Sequence, residues 1–364
     1  MAKIILKGGN LVWEGKAGRG GHIMYVLQWL EGLKRLGHEV LYYDKDNGKE
    51  QAINLFASIM KQWWNPSLFG LEVSEIHKFG QQAVAIISLG CTFEPDPEPW
   101  LKNVHPRILI EQDPGFSHIW ACKASPGEIF GVHDIYFTVG PLLGTADCSL
   151  PTFGINWLPL WNPVISDWWS PSHPITRKYF TTVAGWWGNE YNEFEGKMWG
   201  PKAEQIKHFI SLPALIGNKV GIALGSTPND PEITILQNHG WLIEQPEIVV
   251  ADSVAYSNYI NSSEGEFSCA KGLYVGTKSG WFSDRSSCYL AAGRPVVVQD
   301  TGFQKLLPTG NGLFAVNSVE EAAEAICSIK KDYTHYSKSA REIALEHFES
   351  TRVLSKMLDI AGIR

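Results

Sequence analysis

Residues 20–44 read GGHIMYVLQWLEGLKRLGHEVLYYD. Ile23, Val26, Leu27, Leu30 and Leu33 recur at helical spacing, so this segment predicts a helix with one apolar face. Gly37 stops it. The run from Glu39 to Asp44 predicts a strand, as does Lys3 to Lys7 before it, and strand, helix, strand is the crossover that two parallel strands require. The same alternation continues in both directions. Strands are expected at 83–89, 107–111 and 135–139, then at 179–184, 219–224, 247–250, 273–275, 295–299 and 313–316, with helices at 201–211, 319–331 and 338–348. Short aliphatic runs between helical segments define an α/β chain with parallel sheets buried on both faces. Residues 159–176, PLWNPVISDWWSPSHPIT, break the pattern with four prolines, which marks the crossing from a domain 1–165 to a second domain beginning at 177.

A length of 364 residues fits two domains at about 150 residues each. Hydrophobic residues are 44% and charged residues 19% of the chain, which excludes a disordered protein. A net charge of −7 supplies no basic field, so nucleic acid and anionic membranes are not expected partners. No apolar run reaches the length of about 20 residues that a spanning helix needs. The opening MAKIILKGGNLVW reads as a strand rather than a signal sequence, and a cytoplasmic protein is expected. Six cysteines without a C-x-x-C pair read as reduced thiols, with Cys91 and Cys288 inside apolar stretches. No metal site is expected: no D-x-D follows a strand, and Asp96 sits in the turn EPDPEP. The 15 tryptophans, concentrated between Trp157 and Trp199, suit either core packing or stacking on a sugar or base.

Ligands of doubly wound sheets bind at the carboxyl ends of the strands. The first such loop holds Gly8-Gly9-Asn10 and Gly18-Arg19-Gly20-Gly21-His22, and Gly20 and Gly21 open a helix whose free amides would accept an anion. The insert LVWEGKA keeps it from being a G-x-G-x-x-G. The second lies in residues 278–303, KSGWFSDRSSCYLAAGRPVVVQDTGF. Here Ser279, Gly280, Ser283, Asp284, Arg285 and Ser286 lead into a helix, offering amides, hydroxyls and a guanidinium to a diphosphate.

Cys288-Tyr289-Leu290-Ala291-Ala292-Gly293-Arg294-Pro295-Val296-Val297 resembles the E-A-M-A-x-G-x-P-V-V segment of the group 1-like glycosyltransferases of the GT-B fold. GNGLFAVNSVEEAAEAI (310–326) is similar to their glycine-turn strand and helix, AREIALEHFESTRVLSKML to their closing helices, and 20–44 to their first helix and second strand. The resemblance covers both domains, most specifically 250–350, and loosely 45–175. It implies two Rossmann-like domains facing a central cleft, a C-terminal nucleotide-sugar domain over 177–340, and a C-terminal helix over 341–364 returning to the N-terminal domain. It also implies transfer of a sugar from a nucleotide diphosphate such as a UDP-sugar to a small-molecule or glycan acceptor, without a metal or other cofactor. An epimerase of the same fold and a non-catalytic nucleotide-sugar-binding protein are the alternatives. The chain departs at the family's Glu-x7-Glu pair, which falls on Gly280 and Cys288. Asp284, one helical turn before Cys288, is the nearest replacement.

The remaining candidates follow from position. Asp113, in Glu111-Gln112-Asp113-Pro114-Gly115 at a strand's end and shortly before His118, is the first candidate for a general base. His22 competes with it. Asp-Pro-Gly is also ordinary turn chemistry. Lys197 and Lys202 flank Trp199 and Gly200, where the family places a cation on the diphosphate. Trp241 stands where the family binds the base, and Asp300, Thr301 and Gly302 end a strand where sugar hydroxyls would be held. The acceptor, the sugar and the oligomeric state, monomer or homodimer, stay open.

Overall fold

The computed structural model describes residues 1–8, 20–43, 73–90, 101–186, 191–225 and 230–364. Gly9, Asn10, the insert 11–17, Gly18, Arg19, Asp44, Cys91, Asp96 and Trp187 lie outside the described residues. The described residues form two compact units. One holds residues up to Ile165, apart from Gly20 and Gly21, together with Glu349–Arg364; the other holds Ser166–Phe348 with Gly20 and Gly21. The second boundary thus runs between Phe348 and Glu349 rather than at 340/341, and the helix Tyr333–His347 stays wholly with the second unit.

The first unit is a parallel sheet in the order β2-β1-β3-β4-β5-β6. Its strands are β1 (Lys3–Gly8), β2 (Glu39–Tyr43), β3 (Ala85–Leu89), β4 (Arg107–Glu111), β5 (Ile135–Thr138) and β6 (Trp157–Pro159). Ile4, Ile5, Leu6, Ile87, Ile108, Leu109 and Ile110 are fully buried, as strands covered on both faces must be. The helix Gly20–Arg35 turns Val26, Leu30 and Leu33 inward. Gly32 lies under the helix Ser350–Ile360, where an added Cβ would stand 2.5 Å from Leu354. That close approach is why the helix tolerates a glycine there.

The second unit runs β11-β10-β7-β12-β13-β14, again parallel: β7 (Arg177–Gly185), β10 (Val220–Gly225), β11 (Trp241–Glu244), β12 (Ser263–Ser268), β13 (Val296–Gln299) and β14 (Leu313–Val316). A hairpin of β8 (Asn192–Phe194) and β9 (Lys197–Trp199) precedes β10. Read from β7 outward, this is the 3-2-1-4-5-6 order of a doubly wound domain, and its crevice opens where the order reverses, between β7 and β12.

Three sequence expectations are corrected. Residues 247–250 are not a strand; Pro246 begins a short helix, Pro246–Val249, because proline's fixed φ suits a first helical position. Residues 273–275 lie in the helix Gly272–Thr277, whose Gly276 accommodates the Trp199 ring, an added Cβ being only 1.8 Å away. The expected helix 201–211 covers only Lys202–Lys207 before a turn. The strand that 273–275 was expected to supply is β12, SEGEFS, whose polar composition conceals complete burial of Glu266. Among the central tryptophans Trp169 and Trp186 are core, each 1% exposed.

Candidate functional site

The crevice of the second unit is built around Arg285. Ser283 caps the helix Asp284–Ala291, its Oγ accepting from the Arg285 amide at 3.3 Å. The Arg285 side chain then points into the β7/β12 junction. Its Nε donates to Glu266 Oε1 at 2.6 Å, and its two terminal nitrogens donate to the Val183 carbonyl and Ser268 Oγ, each at 2.8 Å. Burial alone would lower the guanidinium's pKa, but Glu266 beside it outweighs burial and the net shift is upward. Glu266 is completely buried, and its Oε2 has no hydrogen-bond partner among the described residues.

The expectation that Arg285 supplies free charge to a diphosphate is therefore corrected: its charge is neutralised by Glu266, and three of its five donors already knit β7 to β12. Sequence reasoning missed Glu266, because a glutamate between serine, glycine and phenylalanine shows no local sign of its partner.

Lys202 differs. It is half-buried at the start of its helix, within electrostatic reach of Arg285, Cys269, Glu266 and Lys271, and burial pushes its pKa down to about 7, the Arg285 charge adding to the effect. Among the described residues its Nζ has no hydrogen-bond or ion-pair partner. Lys197, by contrast, is exposed on β9.

Beside this cation, Ser268, Cys269, Ser283, Arg285, Ser286 and Thr301 line a small depression walled by Trp281, Phe282 and Phe303. Trp281 stacks on Tyr274 at 4.6 Å between ring centroids. Its place in a polar loop was the only sequence sign that it would border the site.

The other expected donor residues divide between lining and scaffold. Gly280, at φ +78, donates its amide to the Thr301 carbonyl, and the Thr301 hydroxyl donates to the Trp281 carbonyl, so the two loops are tied together. Asp300 accepts from Lys278 at 2.9 Å, from the Gly302 amide at 2.8 Å and from Gln304 at 3.0 Å, which makes it the keeper of its own turn. Ser279 is buried, and its Oγ has no hydrogen-bond partner among the described residues.

Asp284 is half-buried in the first turn of its helix, and Cys288 is buried, leaving no carboxylate at either family position. Trp241 is corrected outright: it is 3% exposed in the core, its Nε1 donates to the Ile210 carbonyl at 3.0 Å, and its ring packs near Phe267. Gly20 gives its amide to the Val250 carbonyl at 3.0 Å and so cannot offer it to an anion, while Gly21 lies against the Tyr256 ring.

In the first unit, Asp113 is half-buried just beyond β4. Its amide donates to Glu111 Oε1 at 2.7 Å and its carbonyl accepts from Ser117 Oγ at 2.8 Å. Glu111 is completely buried and also accepts from Ser117 Oγ at 2.7 Å and Thr138 Oγ1 at 2.8 Å. The loop carrying Asp113 is thus wired to the ends of β4 and β5. His118 is enclosed by Phe130, Phe153 and Trp157, and burial pushes its pKa down to about 3, so it stays neutral. His22 is exposed on the first helix.

Burial pushes the Glu111 carboxyl up to about 7 from 4.5, against the hydrogen bonds from Ser117 and Thr138 that oppose it. Between those values the folded protein holds a proton that the unfolded chain releases. The stabilising contribution is therefore present below pH 4.5 and lost as pH rises through about 7. Glu111→Gln should lose less stability than wild type between pH 4.5 and 8 in urea unfolding; parallel curves would show that Glu111 does not titrate in this way.

Among the described residues no three His, Cys, Asp or Glu side chains gather as metal ligands do, and no helix is long and apolar enough to cross a membrane. No family model matches the chain, and no curated protein does. Solved structures do match. A glycosyltransferase involved in avilamycin A biosynthesis, AviGT4, is 11% identical with a TM-score of 0.58, covering 99% of this chain and 97% of its own. Sucrose-phosphate synthase from Thermosynechococcus elongatus is 12% identical with a TM-score of 0.56, covering 99% and 98%. HepE of Anabaena, solved in complex with UDP-glucose, is 11% identical with a TM-score of 0.56, covering 99% of both chains. At these identities the likeness defines the fold. The chain has the GT-B fold, two Rossmann-like domains each built on a parallel sheet.

Proposed function

We propose that this chain is a cytoplasmic, metal-independent hexosyltransferase that moves a sugar from a nucleotide diphosphate donor to a small-molecule or glycan acceptor. Lys202 is the observation that carries the reading. An ammonium without a partner among the described residues stands at the carboxyl edge of a doubly wound sheet, beside a crevice lined by hydroxyls and an aromatic wall. That is where such sheets bind nucleotides, and a desolvated cation there gains most when a diphosphate arrives to neutralise it.

As the glycosidic bond breaks, negative charge grows on the leaving diphosphate, and a preplaced cation stabilises the charge as it develops. Lys202 fills that role, with Ser283 and Ser286 offering hydroxyls. Asp113 is assigned to the acceptor proton. The likeness to AviGT4, to sucrose-phosphate synthase and to HepE with its bound UDP-glucose supports the donor class. The test is incubation with a panel of nucleotide sugars and acceptors, read by NMR: free nucleotide diphosphate together with a new glycoside is expected, and an unchanged panel would overturn the reading.

The lowered pKa of Lys202 also sets a pH dependence. The ammonium is present below about 7 and lost above it, while a terminal phosphate is already doubly ionised above about 6. UDP affinity should therefore fall between pH 7 and 9, shifted upward to the extent that bound phosphate raises the lysine's pKa. In Lys202→Arg, charged throughout, calorimetry over this range should give a flatter profile. Equal slopes for the two proteins would remove Lys202 from the donor site.

A further inference from the structure

Glu111 ends β4 and is completely buried, yet among the described residues its carboxyl meets no cation. Its partners are three neutral donors. Oε1 accepts from the Asp113 amide and from the Ser117 hydroxyl, each at 2.7 Å, and Oε2 accepts from the Thr138 hydroxyl at 2.8 Å. Burying a carboxyl that no cation neutralises is costly, and the Ser117 and Thr138 hydroxyls keep its charged form within reach.

These bonds converge on Asp113. Its amide is held by Glu111, while its carbonyl accepts from the Ser117 amide at 3.3 Å and lies 2.8 Å from the Ser117 hydroxyl that Glu111 also holds. The Asp113 side chain thus leaves from a residue pinned at both main-chain groups. On the other side, Thr138 Oγ1 accepts from the Gly140 amide at 3.0 Å, which ties the turn after β5 to the same carboxyl.

A proton on this carboxyl disturbs the arrangement wherever it sits. On Oε1 it competes with the Asp113 amide; on Oε2 it opposes the Thr138 hydroxyl, which must turn to accept. In both cases the amide loses a bond to a charged acceptor, a class about twice as strong as neutral ones. The titratable groups that bear on Glu111 are Asp113, whose charge adds to the upward push of burial, and His118, 3.2 Å from Ser117 Oγ and neutral; β5 contributes the uncharged Thr138.

We propose that Glu111 is a positioning residue for the transfer reaction: ionised, it holds the Asp113 loop in the geometry that takes the acceptor proton, and protonation loosens that hold. The inference rests on the assignment of Asp113 as the base.

Its test has a readout that needs no turnover. In NMR spectra recorded from about pH 5 to 9, the Asp113 amide proton of wild type should move downfield with a midpoint near 7 as Glu111 ionises, and in Glu111→Gln it should not. Turnover at saturating donor is the second readout. Wild-type kcat should fall as pH drops through the same midpoint. Glu111→Gln should lower kcat about 10- to 100-fold, up to the cost of misplacing a reacting group by about 1 Å, with the donor KM nearly unchanged. Thr138→Val removes a hydrogen bond that favours the charged form, so it should move the midpoint of both curves to higher pH; a merely structural tie would leave the midpoint in place. An Asp113 amide that does not titrate, or that titrates equally in Glu111→Gln, overturns the proposal, and so does a kcat in Glu111→Gln equal to that of wild type. A protein that turns over no nucleotide sugar contradicts the sugar-transfer reading instead, and the amide titration then still decides whether Glu111 holds the loop.

Discussion

Arg285→Ala is expected to destabilise the protein by about 3–5 kcal/mol, the scale of breaking a buried ion pair by removing one partner. The reason lies in Glu266. It is completely buried, one of its oxygens has no other partner among the described residues, and the guanidinium that neutralises it also holds the Val183 carbonyl and Ser268. Removing Arg285 leaves a carboxylate in a core that cannot solvate it. Replacing both partners should be far milder: Arg285→Met with Glu266→Met swaps the pair for apolar packing, and such exchanges are often neutral or stabilising by about 1–4 kcal/mol. Urea unfolding of the single and double variants measures both. A single variant within about 1 kcal/mol of wild type, in the range of an exposed pair, would show that Arg285 is not the counter-ion of the β7/β12 junction.

Asp113→Asn is expected to reduce turnover about 10²–10⁴-fold, the range for loss of a general base, with donor affinity nearly unchanged. The substitution keeps the side chain's shape. It also leaves the main-chain bonds to Glu111 and Ser117 in place, so the loop should hold and the loss should be chemical. This outcome belongs to a reaction that inverts the anomeric centre. Near-normal turnover would remove Asp113 from the mechanism and leave either His22 as base or a retaining route in which the leaving phosphate takes the proton. The product anomer, read by NMR, separates those two.

The fold was legible where burial and composition agree. VVVQ of β13 and RILIE of β4 are aliphatic because both faces are covered, and the helix from Gly20 advertises its buried stripe at helical spacing. β12 was not legible. SEGEFS carries a glutamate whose compensating arginine lies 19 residues away in sequence, and periodicity reports only local neighbours. Pro246 and Gly272 begin helices in segments whose valines and leucines suggested strands, because two or three aliphatic residues do not distinguish a short strand from one helical turn.

The site was legible in place more than in role. The loop before Asp284 does border the crevice, yet Arg285 serves the scaffold there, while Lys202 has no ion-pair partner among the described residues. Both lysines of the 197–202 segment read alike in sequence. What separates them is the approach of Cys269 and Arg285 to Lys202, which only the assembled sheet brings about. Trp241 failed for a related reason: its position after a βα unit was right, but an indole on β11 reaches core space beside Phe267 and not the sheet's edge.

The most direct test of the account is calorimetric titration of UDP into wild type and Lys202→Ala at pH 7. Binding to wild type is expected, weakened about 10- to 100-fold in the variant, since a hydrogen bond to a charged group is worth about 1.5–3 kcal/mol. Equal affinity of the two proteins for UDP and for the other nucleoside diphosphates, or no binding of any of them to wild type, would contradict the assignment of the carboxyl-edge crevice as a nucleotide-sugar site.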